Sequence, residues 1–321
     1  MSFSWMRRAA VALASVSLLT LAACGSGSIV SQLEPARVFA FGDGLSDIGQ
    51  TGTKYTVNDG NTNIWTQGIA AAYGVPAVTA NAGGTFYAQK NARVVATPDA
   101  AGSTATPTIK QQIDAYVTAN RFGERDLVII NGGTSDIIAE MALVTSGAQT
   151  GDQMLANVRQ AGRDLATQVR RLVQAGSTHV VVSGVYDMAR TPWGQTGGQT
   201  SANATLLAAA SARFNEELLI NIVDLGNSVL YVDTAFLFNL MTAVPTAYGM
   251  TNSIAAVCTS IDPGPGIGIG AGEVNSGLCT PSTTLANVSY EAYLFADKVY
   301  PTPQGHRKFG EYAFSRIRAR W

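Results

Sequence analysis

An α/β fold, with a parallel sheet covered on both faces, is what this sequence predicts, and three observations carry it. Short apolar runs such as Asp126-Leu-Val-Ile-Ile130 and His179-Val-Val-Val-Ser183 read as strands buried on both sides. Between them lie stretches whose apolar residues recur every three or four positions, so strands and helices alternate. Turns rich in Gly, Asp and Asn follow the strand ends, the edge of such a sheet where ligands collect.

Taken in order, Arg37–Phe41 is a short apolar strand running into Gly42-Asp43-Gly44. Trp65, Ile69, Ala72 and Tyr73 fall at helical spacing, as do Ile109, Ile113 and Val117. Asp126–Ile130 is a strand and Asn131–Asp136 a turn. Asp152–Ala175 is a long helix closed by Gly176. His179–Ser183 is the next strand, and Leu206–Leu225 a helix presenting Phe214, Leu218 and Ile222 on one face. Val229–Val232 is a strand, and Gln304 to about Arg320 the last helix. Residues 98–106 and 259–284 are rich in Pro, Gly, Ser and Thr and read as surface loops. The alternating glycines Gly264 to Gly272 fit no phosphate-binding register, because no strand–helix junction frames them.

The N-terminus stands apart. Arg7 and Arg8 precede an apolar run from Ala9 to Leu21, followed by Ala22-Ala23-Cys24, the layout of a secretory signal too short for a comfortable membrane span. Leu21–Cys24 resembles a bacterial lipobox, which would make Cys24 the acylated first residue of the mature chain. Gly25 after it implies outer-membrane sorting. The expected organisation is a signal over 1–23, a lipid-anchored tether over 24–36 and one domain over 37–321. With 321 residues, 46% of them hydrophobic, the chain can bury one large core. Loss of Arg7 and Arg8 takes the 21 basic residues to 19, against 22 acidic ones. No basic block occurs, so nucleic acid is not an expected partner. The expected partner is the membrane, through Cys24. Cys258 and Cys279 remain to pair in an oxidising envelope compartment. His179 and His306 are far apart in sequence, and neither a metal nor a cofactor is expected.

Phe41-Gly-Asp-Gly-Leu-Ser-Asp-Ile-Gly49 resembles the opening block of the SGNH (GDSL) ester hydrolases. Other blocks follow in that family's order. Gly83–Gln89 is similar to "GGTNYAQGGAR", Asn131–Ile137 to the "GGND" block, and Tyr293–Thr302 to "YLFWDxxHPT". Phe214-Asn215, Tyr231–Thr234 and the cysteine pair also match. The resemblance implies a three-layer α/β/α, flavodoxin-like fold. It also implies a nucleophilic serine, a histidine base, an aspartate that orients the base, and oxyanion donors from a glycine and an asparagine.

At those places this chain has other residues. Gly44 holds the nucleophile position and Tyr300 the base position. Lys90-Asn91 replaces the expected Gly-Gly, and Ser135 replaces the asparagine; only Asp297 is retained. An ordinary phenol, with a pKa of about 10, is no base near neutral pH. The simplest partner left for Asp297 is the Tyr300 hydroxyl. Ser46 and His306 are the candidate substitutes, against plainer roles as a turn or cap residue and a helix-start residue. His179 reads as structural. Asp43, Asp47, Asp136 and Asp297 could share a cation, although hydrogen bonds to turn backbone explain Asp43 and Asp47 as well.

Three functions follow as expectations. The first is a non-catalytic envelope lipoprotein keeping a pocket for an acyl chain, glycan or protein. The second is an esterase working through Ser46 and His306 or through a water activated by Asp297. The third is a structural component with the pocket filled, favoured by a rim closed by Lys90 and Tyr300.

Overall fold

The computed structural model describes residues 32–195 and 200–321. The expected signal segment, Cys24 and the first part of the expected tether lie outside the described residues. Four parallel strands form the central sheet in the order β1 (Arg37–Phe41), β2 (Asp126–Asn131), β3 (Val180–Ser183), β4 (Val229–Val232). Phe86 extends the sheet beyond β1 by a single parallel bridge to Ala40. Every residue of β2 and β3 is buried, which is why those runs carry no polar alternation.

Among the described residues there are eight α-helices. They are α1 (Trp65–Ala72), α2 (Ile109–Val117), α3 (Thr134–Thr145), α4 (Gly151–Gln174), the short α5 (Pro192–Gln195), α6 (Ser201–Ile220), α7 (Thr234–Ala243) and α8 (Pro303–Arg320). Helices α2, α3, α4 and α6 pack together in one layer, while α1 and α7 pack against α8 in the other. The three-layer arrangement is therefore present. Capping chemistry sets several helix starts. Thr108 with Gln111, and Thr150 with Gln153, form reciprocal capping boxes, and Thr302 caps α8 with Pro303 in its first turn.

Four expectations need correction. The turn read at Asn131–Asp136 is the end of β2 followed by the first turn of α3. Gly133, at φ +108, makes the reversal with the Phe214 ring packed against it. The helix expected to reach Leu225 ends at Ile220 and continues as a 3-10 turn over Val223–Leu225, leaving Val223 on the surface. The segment expected as a tether is packed onto the domain from Gln32 onward: the Gln32 N–H donates to the Trp321 carbonyl, Leu33 is buried, and the Ala36 N–H donates to the Arg125 carbonyl. The segment 259–284 is not a free surface loop. It contains a small hairpin, β5 (Ile261–Asp262) with β6 (Glu273–Val274), and it buries Ile267.

Candidate functional site

The turn after β1 is built around two aspartates. Asp43 accepts from the Leu45 N–H (3.0 Å) and from the Asn131 amide (2.6 Å). Its carboxyl is raised by complete burial, partly offset by the N–H groups of Leu45, Thr134 and Ser135 and by Asn131. Asp47 accepts from the N–H groups of Gly49, Gln50 and Lys90 at 2.7–2.9 Å. Both carboxylates therefore hold backbone. Asp136 faces Arg93 and the Val94 N–H. Among the described residues no group of three carboxylate, histidine or cysteine side chains converges as a metal site.

Gly44 is buried at the centre of this turn. A Cβ built on it would lie 2.5 Å from Tyr55 Cδ2 and 3.0 Å from the Tyr300 hydroxyl. Gly44 has no left-handed φ, so a side chain there would meet crowding rather than backbone strain. The two tyrosine rings pack with centroids 4.6 Å apart, and both are buried. Tyr55 is tied down at its hydroxyl, which donates to Asn91 Oδ1 (2.9 Å) and reaches the Gly266 carbonyl (3.3 Å). The Asn91 amide also donates to that carbonyl (3.2 Å), so the glycine-rich segment is latched over the pair. Asn91 has φ +64, the left-handed conformation a glycine takes most easily. Lys90 Nζ stands 5.3 Å from the Tyr55 ring centroid. Tyr55 was not singled out by the sequence; its one signal is a lone aromatic residue in a polar stretch.

Asp297 does not bond the Tyr300 hydroxyl, contrary to the expectation. Its Oδ1 accepts from the N–H groups of Val299 (2.7 Å) and Tyr300 (2.6 Å), and its Oδ2 from the hydroxyl and N–H of Ser276. Burial pushes its pKa up to about 6 despite these donors. The Tyr300 hydroxyl is buried without a hydrogen-bond partner, and burial raises its pKa well above that of an ordinary phenol. The Ser135 hydroxyl, in the first turn of α3, is likewise buried and unpartnered.

The two substitutes are not brought together by any hydrogen bond among the described residues. Ser46 Oγ accepts from Trp65 Nε1 (3.1 Å), and both residues are fully buried. His306 lies in the first turns of α8 with neither ring nitrogen in a well-formed hydrogen bond. Burial lowers its pKa to about 3, opposed only in part by the Tyr55 main chain. A cleft of about 640 Å³ between α1 and α8 is lined by Trp65, Gly68, His306, Gly310 and Phe314. Gly44, Asn91, Ser135, Asp297 and Tyr300 are not in its lining. His179 packs edge-on against Trp321 at the far end of the sheet, a structural setting.

Two expected outcomes follow. Unfolding restores the ordinary proton affinity of His306, so below pH 6.5 the unfolded chain binds more protons and stability falls toward pH 3. Urea unfolding should show wild type losing ~3 kcal/mol more than His306→Leu between pH 7 and pH 4. Equal losses would place the imidazole in a hydrated setting. The Cys258–Cys279 bridge closes a 21-residue separation around Ser276 and Gly266. Removing it as a Cys258→Ser/Cys279→Ser pair should cost about 3 kcal/mol, lowering Tm by roughly 5–10 °C. An unchanged Tm would mean the segment is held by its hydrogen bonds alone.

A parallel sheet whose first turn carries Gly-Asp, with a second block opening α3 and an aspartate shortly before the last helix, is the scaffold of the SGNH hydrolases. The chain belongs to the GDSL-like Lipase/Acylhydrolase family, whose pattern its residues 38–313 match. It is 23% identical to Lipase 1 of Photorhabdus luminescens over 88% of this chain and 50% of that protein. It is 26% identical to an uncharacterized protein of the trpE-trpG intergenic region of Pseudomonas putida, over 95% of this chain and 52% of that one. The chain thus spans about half the length of these curated relatives. One solved crystal structure matches over 89% of this chain and 98% of its own at 13% identity, with a TM-score of 0.46.

Proposed function

We propose that this chain is a catalytically degenerate member of its family, a lipid-anchored component of the bacterial envelope whose acyl site has become part of the core. The observation that carries this reading is the Tyr55–Tyr300 pair packed over Gly44. An acyl carbon would have to dock where those rings stand. No nucleophile replaces the missing serine at the turn: Ser46 is bonded to Trp65 beneath it, and Ser135 is buried in the first turn of α3. Asp297 orients no imidazole, because the base position is a tyrosine and the carboxylate is bonded to the Ser276 hydroxyl and the Tyr300 N–H. In a serine hydrolase, losing the triad leaves roughly 10³–10⁴ over water from binding and oxyanion donors. Here the binding position is filled too, so even that remainder is not expected. The geometry favours a structural role over one that keeps the old pocket open for a ligand. The lipobox-like Leu21–Cys24 supports the envelope location.

Purified chain should hydrolyse p-nitrophenyl acetate and octanoate no faster than buffer or a Ser46→Ala variant. Turnover that disappears in Ser46→Ala would replace this reading with that of an esterase using a relocated nucleophile. Incorporation of labelled palmitate in cells, lost in Cys24→Ser, tests the anchor independently of activity.

A further inference from the structure

Helix α7, Thr-Ala-Phe-Leu-Phe-Asn-Leu-Met-Thr-Ala, contains no charged residue, yet only one side of it enters the core. Leu237, Phe238 and Met241 are buried, while Phe236 and Val244 are each 52% exposed and Leu240 39%. Phe236 and Leu240 lie one turn apart on the outward face of the helix, and Val244 follows just past its end. On a surface helix that face normally carries polar residues. The stripe continues onto α8. The Phe236 ring lies 6.4 Å from that of Tyr312, and Arg316, one turn further along α8, is exposed. One turn further, Arg320 donates to the Gly226 carbonyl, next to Val223, which is 78% exposed. Two acids border this face: Asp233 caps α7 through the Phe236 N–H and keeps its charge near Tyr312, and Asp224 pairs with Arg170. Exposed apolar side chains interleaved with arginines suit the boundary between acyl chains and anionic headgroups.

The place where the described chain begins bears on the occupant. Gln32 is bonded to the Trp321 carbonyl, beside Arg320 at the end of α8. Eight residues link Cys24 to Gln32, a reach of at most roughly 28 Å. A lipid on Cys24 would hold this end of the domain within that distance of a bilayer.

Building on the lipid-anchored reading, we propose that the Phe236–Leu240–Val244 stripe, with Arg316 and Arg320, is a docking face for an anionic bilayer surface. Ten residues cannot cross a bilayer; α7 lies on it.

Cys258 and Cys279 are bridged, which leaves Cys24 as the one cysteine of the three outside that bridge. Chain produced without acylation keeps the Cys24 thiol and can be coupled through it to maleimide lipid in vesicles. On vesicles of phosphatidylglycerol and phosphatidylcholine, amide exchange across Thr234–Val244 should slow at least threefold relative to the uncoupled chain. The slowing should be lost in Phe236→Ser/Leu240→Ser and reduced in Arg316→Ala/Arg320→Ala or on phosphatidylcholine alone. Exchange unchanged by coupling overturns the proposal. So does equal slowing in the uncoupled chain as its concentration rises, which would assign the face to a second copy. A failed palmitate label in cells would sink the anchor reading and leave this vesicle result standing.

Discussion

Restoring the two missing catalytic groups, as Gly44→Ser/Tyr300→His, should leave the chain inert until Tyr55 is also cut back to alanine. The serine Cβ would sit 2.5 Å from Tyr55 Cδ2, inside any contact distance real side chains adopt. The ring cannot simply rotate away, because its hydroxyl is held by Asn91 and the Gly266 carbonyl. The expected price of forcing a side chain in is about 1–3 kcal/mol of stability, as for overpacked cores generally. With Tyr55→Ala added, the serine gains space and an acyl group gains a place to sit. Asp297 remains available to orient the new imidazole once the Ser276 donors yield one oxygen. Hydrolysis of p-nitrophenyl acetate should then rise above background, and further by about 10²–10³ when Ser135→Asn supplies an oxyanion donor. If the double variant is already as active as the triple, Tyr55 is not the obstacle described here.

Replacing Tyr300 should read as damage to a core and not as the loss of a catalytic group. Tyr300→Ala removes a fully buried ring packed against Tyr55, and Tyr186 donates to the neighbouring Val299 carbonyl. A cost of about 3–5 kcal/mol is expected from urea unfolding, the range for large aromatic truncations. Tyr300→Phe should behave oppositely. Its hydroxyl is buried without a partner, so deleting it removes a desolvated polar group and should stabilise by about 1 kcal/mol. At a working active site the base position is held for chemistry, and truncation there tends to cost little stability. A neutral Tyr300→Ala, or a Tyr300→Phe that destabilises by more than about 2 kcal/mol, would show that the hydroxyl has a task.

The sheet was legible because β2 and β3 are apolar on both faces, and the long helix α4 because its period is unbroken. Helix α3 was lost to its own first turn: Thr134-Ser-Asp136 has turn composition, although Ile137 to Val144 behind it is helical in character. Helix α7 is apolar on nearly every side, so no period marks it. The substitutions at Gly44, Tyr300, Asn91 and Ser135 could be placed by block order alone. What fills the space they leave could not. Tyr55 and Ser276 come from polar segments, and their role depends on loop paths that carry no periodicity. The same holds for the Asp297 donors, where the nearest hydroxyl in sequence was the wrong choice.

Fluorophosphonate labelling of the unaltered chain, with the adduct located by mass spectrometry, tests the closure of the acyl site most directly. No adduct is expected on wild type under conditions that label Gly44→Ser/Tyr55→Ala/Tyr300→His at position 44. An adduct on wild type at Ser46, Ser135 or another hydroxyl of the rim would contradict the closed site.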